Sequence, residues 1–295
     1  MDSRRLRYFV AVVDHGGFTP ASKAVFVSQP ALSLAVKELE ADLGTPLFAR
    51  IGRRVQLTEA GSALLGPARQ VLRDLETGRA AVTAVTGLAS GSLSLASLPT
   101  LAADPMATLV GRFRSRHPGI RVDLAAPEDS RDLFAMIETG KGELGLTDAL
   151  DVPDTLEATG LGPQVLVFIL PPGSTTSNTE GARLIDFEDT SFVAAPEGTS
   201  TRRLLDERLG AVGLRPKLAV VSAQRDAILP LVLAGAGAAL VPESMALVAG
   251  RLGAVVARPD PPAVRHLALV HRPGALSPAA TRFSELALPS PSPAP

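Results

Sequence analysis

"SQPALSLAVKELEADLG" (residues 28–44) repeats Leu32, Val36, Leu39 and Leu43 at the spacing of one helix face. Ser28 offers a side-chain acceptor to the first turn, Pro30 fits that turn, and Gly44 stops the helix. The opposite face carries Gln29, Ser33 and Lys37 at i, i+4 and i+8, a polar stripe with Leu34 set beside it. Gln, Ser and Lys can address base edges or phosphates, and an exposed leucine can cover a thymine methyl in a major groove. A solvated polar face with one stray leucine is the plainer reading, so the flanking elements have to decide.

Upstream, Leu6, Phe9, Val10 and Val13 form the stripe of an amphipathic helix that ends at Gly16 and Gly17. Thr19 is expected to cap a second, short helix with Pro20 in its first turn and Ala21, Ala24 and Val25 facing inward. Two short helices joined by a tight turn over residues 26–28, the second of them longer, make a helix-turn-helix. Downstream, "TPLFARIGRRVQLTEAG" (residues 45–61) alternates apolar positions around a glycine turn flanked by Arg50, Arg53 and Arg54. That reads as a hairpin with a basic tip, a wing suited to the sugar–phosphate backbone. DNA contacts are therefore expected from Thr19, Ser28, Gln29, Pro30, Ser33, Leu34, Lys37, Arg50, Arg53 and Arg54. Charge agrees in sign: residues 1–90 hold eleven Lys and Arg against eight Asp and Glu, although the whole chain carries net −1.

From residue 58 to residue 89, Leu64, Ala68, Val71, Leu75, Val82 and Val85 follow a heptad-like 4-3-4-7-3 spacing, with Gly78 at the skipped position. A long helix with such a seam pairs with a second copy of the chain, or packs on its own wing and body. Pro67 and Gly78 predict kinks rather than a smooth coil. Pairing would hold two recognition helices at a fixed separation over two half-sites.

After residue 90, strand-like runs ("LSLASL", "VDLAA", "LGLTDA", "VLVFILP", "FVAAP", "LAVVS", "AALVPE", "HLALVHRP") alternate with helical ones. That alternation predicts parallel sheets with both faces covered. The tail over 289–295, rich in Pro and Ser, is expected to be disordered.

With no cysteine, the chain has no disulfide, thiol catalysis or Cys-ligated zinc. Its four histidines, His15, His117, His266 and His271, lack metal-ligand spacing, and no metal or cofactor is expected. The longest apolar runs are too short to cross a bilayer, and the charged start "MDSRRLRYF" predicts a cytoplasmic protein with no membrane partner. There is no G-x-S-x-G elbow, H-E-x-x-H or P-loop. Gly235-x-Gly237 lacks the spacing of a dinucleotide loop and reads as a helix end entering a strand. The chain is not expected to be an enzyme.

The elements "F-x-x-A-S", "S-Q-P-A-L-S", "L-E-x-x-L-G-x-x-L-F-x-R" and "L-T-x-A-G" stand in one order and spacing across the first fifth of the chain. In this it resembles the LysR-type transcriptional regulators, departing from them with Leu34 and Ala35, where the family is usually polar. "GKGELGLTD", "APEGTSTRRLLDERL" and "VSAQRDAILPLVLAGAGAALVPESM" extend the likeness to the family's effector-binding region, with Glu143 where that region usually has Asp. The resemblance implies an α/β protein with three parts: a winged helix-turn-helix over 1–58, a linker and dimerisation helix over 59–90, and a periplasmic-binding-protein-like body of two α/β lobes over 91–288. Lobe I spans about 91–161 and 267–288, and lobe II about 162–266. It further implies an antiparallel pairing of linker helices and a small-molecule effector between the lobes. Such sites lie at strand ends and helix N-termini, which nominates Ser97, Pro99, Thr100, Ser130, Thr147, Asp148, Ser200, Thr201 and Arg202. The partners implied are double-stranded DNA, an effector, a second copy of the chain in a homodimer or homotetramer, and RNA polymerase. The competing readings are a solute-binding module or an α/β enzyme carrying a helical head that does not bind DNA.

Overall fold

The computed structural model describes residues 1–51, 54–85, 91–175 and 179–288. The head begins with α1 (Ser3–Asp14), α2 (Phe18–Ala24) and α3 (Gln29–Leu43). Leu6, Phe9, Ala21, Leu32, Val36 and Leu39 are buried between these helices, and removing each of the larger side chains from water is worth about 1.5–3 kcal/mol. Strands β1 (Phe48–Ile51) and β2 (Arg54–Leu57) pair antiparallel, Phe48 opposite Leu57 and Ile51 opposite Arg54. The Phe48 ring lies 5.4 Å from that of Phe9 and 5.5 Å from that of Phe18, which ties the wing to α1 and α2.

The three helices differ at three residues from the period-based expectation. Leu43, placed on the inner face, is exposed in the last turn, where α3 has already run past the core; Ala24 is exposed for the same reason at the end of α2. Thr19 does not cap α2: Gly17 holds the cap position with φ +151°, and Thr19 sits inside the first turn, its carbonyl accepting from Ser22 Oγ at 2.9 Å. Ser28 does cap α3, accepting from the Ala31 amide at 3.3 Å.

α4 (Glu59–Val85) runs as one continuous helix through Pro67. Its first half packs on the head, so the expected dimer seam needs correction there. Ala68 is 1% exposed within the cluster of Leu6, Phe9 and Leu39, and Leu64 packs against the same cluster. Val71 and Leu75, one and two turns further on, are 39% and 44% exposed. The side chains of Val82 and Val85 lie outside the described residues, as does the tail over 289–295.

The body contains β3 (Gly91–Ser97), a single turn α5 (Pro99–Leu101), α6 (Ala107–Arg116), β4 (Ile120–Ala125), α7 (Ser130–Glu138) and β5 (Leu144–Asp148). It continues through β6 (Glu157–Leu170), β7 (Glu180–Arg183), β8 (Ser191–Ala194), α8 (Ser200–Gly210), β9 (Lys217–Val221) and α9 (Ile228–Leu233). It ends with β10 (Ala239–Pro242), α10 (Glu243–Arg251), β11 (Val255–Asp260), β12 (Ala263–His271) and α11 (Pro278–Ala287). One eight-stranded sheet runs β4-β3-β5-β12-β6-β11-β7 with β10 joined to β6, while β8 and β9 pair in parallel beside it. Pairing is mixed rather than purely parallel, because β6 and β12 run antiparallel to each other along nine paired residues. These two strands pass from one lobe into the other. The expected lobe limits at 161/162 and 266/267 therefore fall inside continuous strands.

Lobe I closes around Leu93, Leu95, Phe113, Leu133, Ile137 and Phe283; lobe II buries Phe168, Phe187 and Phe192 on one face of its strands and Val167, Ile169 and Val232 on the other. Glu143 is buried and accepts from the Ser277 amide (2.7 Å) and Ser277 Oγ (2.9 Å), so it holds the start of α11 rather than a ligand. After α9, Gly235 has φ +87°, and Gly237 enters β10 where a Cβ would lie 2.6 Å from the Ser191 carbonyl oxygen.

Candidate nucleic-acid interface and interlobe cleft

The face of α3 that carries Leu34 and Lys37 is exposed among the described residues. Leu34 is 59% exposed, Lys37, Ser28 and Pro30 are exposed, and Gln29 and Ser33 are half-buried. Gln29 Nε2 donates to Ser33 Oγ at 2.8 Å. The stripe is thus pre-ordered, with the Gln29 carbonyl and the Ser33 hydroxyl hydrogen available for an incoming edge. Behind it, Glu40 Oε1 accepts from the amides of Leu47 (2.8 Å) and Phe48 (3.2 Å), fixing where the wing leaves α3. Arg50 and Arg54 lie on the paired wing strands, but their side chains, and Arg53 entirely, lie outside the described residues.

The turn before α3 holds a feature that spacing did not single out. Phe26 has φ +56° and is 94% exposed. A bulky residue in the left-handed region costs about 1–2 kcal/mol, which nothing apolar repays here. Phe26→Asn is expected to raise head stability by about 1 kcal/mol, because asparagine tolerates that conformation. The chain has one tyrosine, Tyr8 in α1, and no tryptophan, so Tyr8 emission during urea unfolding reads the head alone.

On the opposite side, α4 lies against lobe I. Arg69 is buried, pairs with Asp14 of α1 and donates to the Thr139 carbonyl at 2.7 Å. Arg73 donates to the Gly140 carbonyl (2.8 Å) and Arg272 to Gln70 Oε1 (2.8 Å).

Several contacts bridge the lobes, among them Gln164 Nε2, which donates to the Asp104 carbonyl at 2.9 Å. Arg203 of α8 reaches the buried Asp148 at the end of β5 (2.7 Å). Ser244 Oγ of α10 donates to Asp104 Oδ2 at 2.7 Å. Arg265 of β12, 5% exposed, donates to Gln164 Oε1 (2.7 Å), Thr100 Oγ1 (3.2 Å) and Ser200 Oγ (3.4 Å). Burial pushes the Arg265 guanidinium down to about 10, against the pull of Asp148 and Asp104. Between the lobes lies a cavity of about 390 Å³ reached by Pro99, Thr100, Thr201 and Arg202, and beside it a space of about 10 Å³ touched by Thr100, Ser130, Ser200 and Thr201.

Residues 3–62 match the family model described as bacterial regulatory helix-turn-helix protein, lysR family, and residues 86–290 match the LysR substrate binding domain. The chain belongs to the LysR family of transcriptional regulators. The RuBisCO operon transcriptional regulator of Allochromatium vinosum is 30% identical over 81% of this chain and 78% of its own. An SDS degradation transcriptional activation protein of Pseudomonas sp. is 44% identical over 42% of this chain and 40% of its own. Among solved structures, full-length CbnR complexed with its target DNA superposes with TM-score 0.66 at 25% identity over 97% of this chain and 99% of its own. A full-length OxyR variant from Pseudomonas aeruginosa gives 0.77 at 22% identity over 97% and 93%, a likeness of fold.

This LysR-type regulator gathers Pro99, Thr100, Ser130, Ser200, Thr201 and Arg202 around the cleft, as the strand-end rule expects. Ser97, Thr147 and Asp148 are not on its wall. Ser97 is fully buried with its hydroxyl bonded to the Leu98 carbonyl, Thr147 is sealed inside β5, and Asp148 is spent on Arg203. Sequence reasoning missed Arg265 and Arg203: no motif marks a basic residue in a strand or on the solvent side of a helix as a bridge between lobes. Among the described residues there is no cluster suited to a metal ion, and no helix is long and apolar enough to cross a membrane.

Proposed function

We propose that this LysR-type regulator, placed in the cytoplasm, binds operator DNA as a dimer or tetramer through the α3 stripe and the wing arginines. We further propose that an effector held between the lobes resets the spacing of the paired heads and their access to RNA polymerase. The observation that carries the reading is the uncovered row Gln29–Ser33–Lys37 with Leu34 at its edge, standing on a packed three-helix core. Val71 and Leu75, left exposed where α4 passes the head, are the seam available to a second copy. Lobe closure is set by the Arg203–Asp148 and Arg265 bridges, and a ligand that favours one closure shifts the DNA-binding geometry by its difference in affinity for the two states.

Footprinting and gel shifts on DNA flanking its gene test the reading. Arg53→Ala is expected to weaken binding to all sequences and to reduce the slope of log K against log salt by about 1. Gln29→Ala is expected to narrow the gap between cognate and altered half-sites by about 1–3 kcal/mol, with little change in salt slope. Indifference of Arg53→Ala at both low and high salt would remove the wing from the interface.

A further inference from the structure

Among the described residues, each arginine of the cleft is opposed by a carboxylate. Arg202 pairs with Asp206 at 2.9 Å and Arg203 with Asp148 at 2.7 Å. Burial weakens the hold of Arg265 on its proton, and Asp148 and Asp104 oppose it. Burial acts on Arg225 in the same direction, and Glu128 opposes it. The walls themselves carry two arginines, Arg202 and Arg225, against three carboxylates, Glu128, Asp129 and Asp226. An incoming anion would therefore meet no unmatched cation and a surplus of its own charge.

A cation fares no better. Glu128 and Asp226 stand exposed to water, and Asp129 already accepts from the Asp132 amide at 2.9 Å. An ion pair at such a rim is worth little, whereas an ammonium drawn onto the inner wall would lose its hydration. That wall is apolar: Val193, Leu205, Ile228, Leu240 and Met245 line the cavity of about 390 Å³. Thr100 lies where this cavity meets the smaller space. Its Oγ1 accepts from Arg265 at 3.2 Å, which leaves its own hydrogen to donate. The site thus offers apolar area and a neutral donor, and no charge without an opposing one among the described residues.

We infer that the effector is an uncharged amphiphile: a ring or short alkyl chain lying among Val193, Leu205 and Met245, with an oxygen that accepts from the Thr100 hydroxyl. This names the ligand class for the cleft and rests on reading the cleft as the effector site. A volume of 390 Å³ stands at the low end for ligand pockets, enough for a ring or a short chain. Pro99 and Ala103 of lobe I complete the wall, so burying the ligand fully needs both lobes. The apolar area shared between them is then what an uncharged ligand contributes to closure, while the paired charges hold the frame.

Calorimetry and thermal shift on the full chain test the inference with one body and different end groups: phenethyl alcohol and phenylacetamide as neutral probes, phenylacetate and phenethylamine as ions. The neutral probes are expected to bind at least about tenfold more tightly than either ion. Glu128→Gln combined with Asp226→Asn is expected to raise phenylacetate affinity at least about threefold, with the neutral probes unchanged. Ala103→Trp fills the cavity mouth from an exposed position and is expected to abolish binding of the neutral probes. An unchanged melting profile without ligand shows that this variant is folded. An ion that binds as tightly as the neutral probes, or no binding by either neutral probe at millimolar concentration, overturns the inference. Charge variants that leave the ratio of ion to neutral affinity unchanged overturn it as well. Ion binding that is lost in Ala103→Trp overturns the ligand class and keeps the cleft as effector site. Neutral binding untouched by Ala103→Trp places the site elsewhere and overturns both readings.

Discussion

Gly61→Ala is expected to unfold the head and abolish DNA binding while the body stays folded. Gly61 lies in the first turn of α4, where the helix meets the chain entering β1. An added Cβ would overlap the Leu47 carbonyl oxygen and stand 2.8 Å from Leu57 Cδ2. The first neighbour is backbone and cannot turn aside, and Leu47 is itself 1% exposed in the head core. Overpacking costs about 1–3 kcal/mol where side chains can yield, and more where main chain must move. A head of about 60 residues has little stability to spare. Thr58 meanwhile donates to the Pro46 carbonyl (2.7 Å) and accepts from the Gly61 amide (3.0 Å), so relief by shifting α4 breaks those bonds. Tyr8 emission in the variant should match that of the denatured chain at low urea, with a separate body transition preserved by circular dichroism. A cooperative Tyr8 transition at the parent's midpoint would show that α4 can retreat from Leu47 without cost.

Arg203→Met is expected to open the cleft. Asp148 is 2% exposed and its Oδ2 accepts from Arg203, while no partner among the described residues meets its Oδ1. Removing one member of a buried pair costs about 3–5 kcal/mol because the remaining charge stays desolvated. Arg203 is itself a third exposed, which puts the expected loss near the bottom of that range, at about 3 kcal/mol. The molecule can reduce that cost by parting the lobes so that water reaches Asp148. Small-angle scattering should show an expanded body, and amide exchange should rise at the start of α8. Asp148→Asn leaves the partly exposed Arg203 to solvent and should cost less than about 1 kcal/mol. The asymmetry is the test: an Asp148→Asn defect as large as that of Arg203→Met would mean that the pair does not hold the lobes together.

The readable parts of this molecule are those governed by local period. The α3 stripe, its Ser28 cap and its Gly44 stop follow from residues three and four apart, and the structure places them as spaced. Elements without such a period escaped. β6 begins at Glu157, eight residues before "VLVFIL", because Gly160, Gly162 and Pro163 hide an extended segment. α10 escaped because Met245 to Ala249 are all apolar, leaving no face to detect. The site was legible only where a residue's own helix or strand end aims it at the cleft, as with Thr100, Ser130 and Thr201. Arg265 and Arg203 act through partners up to 165 residues away, and the need for glycine at 61 arises from a neighbouring element, which spacing does not record. Ala68 shows the converse: a perfect heptad position, taken up by the chain's own core.

Arg69 touches Asp14 on one side and Thr139 on the other. Within a single copy, the reading head and the first lobe are therefore the two ends of one stiff lever, with lobe II as the arm left to swing. Under the proposed function, torque from a ligand would leave through that arm and would reach the operator by changing how neighbouring copies abut.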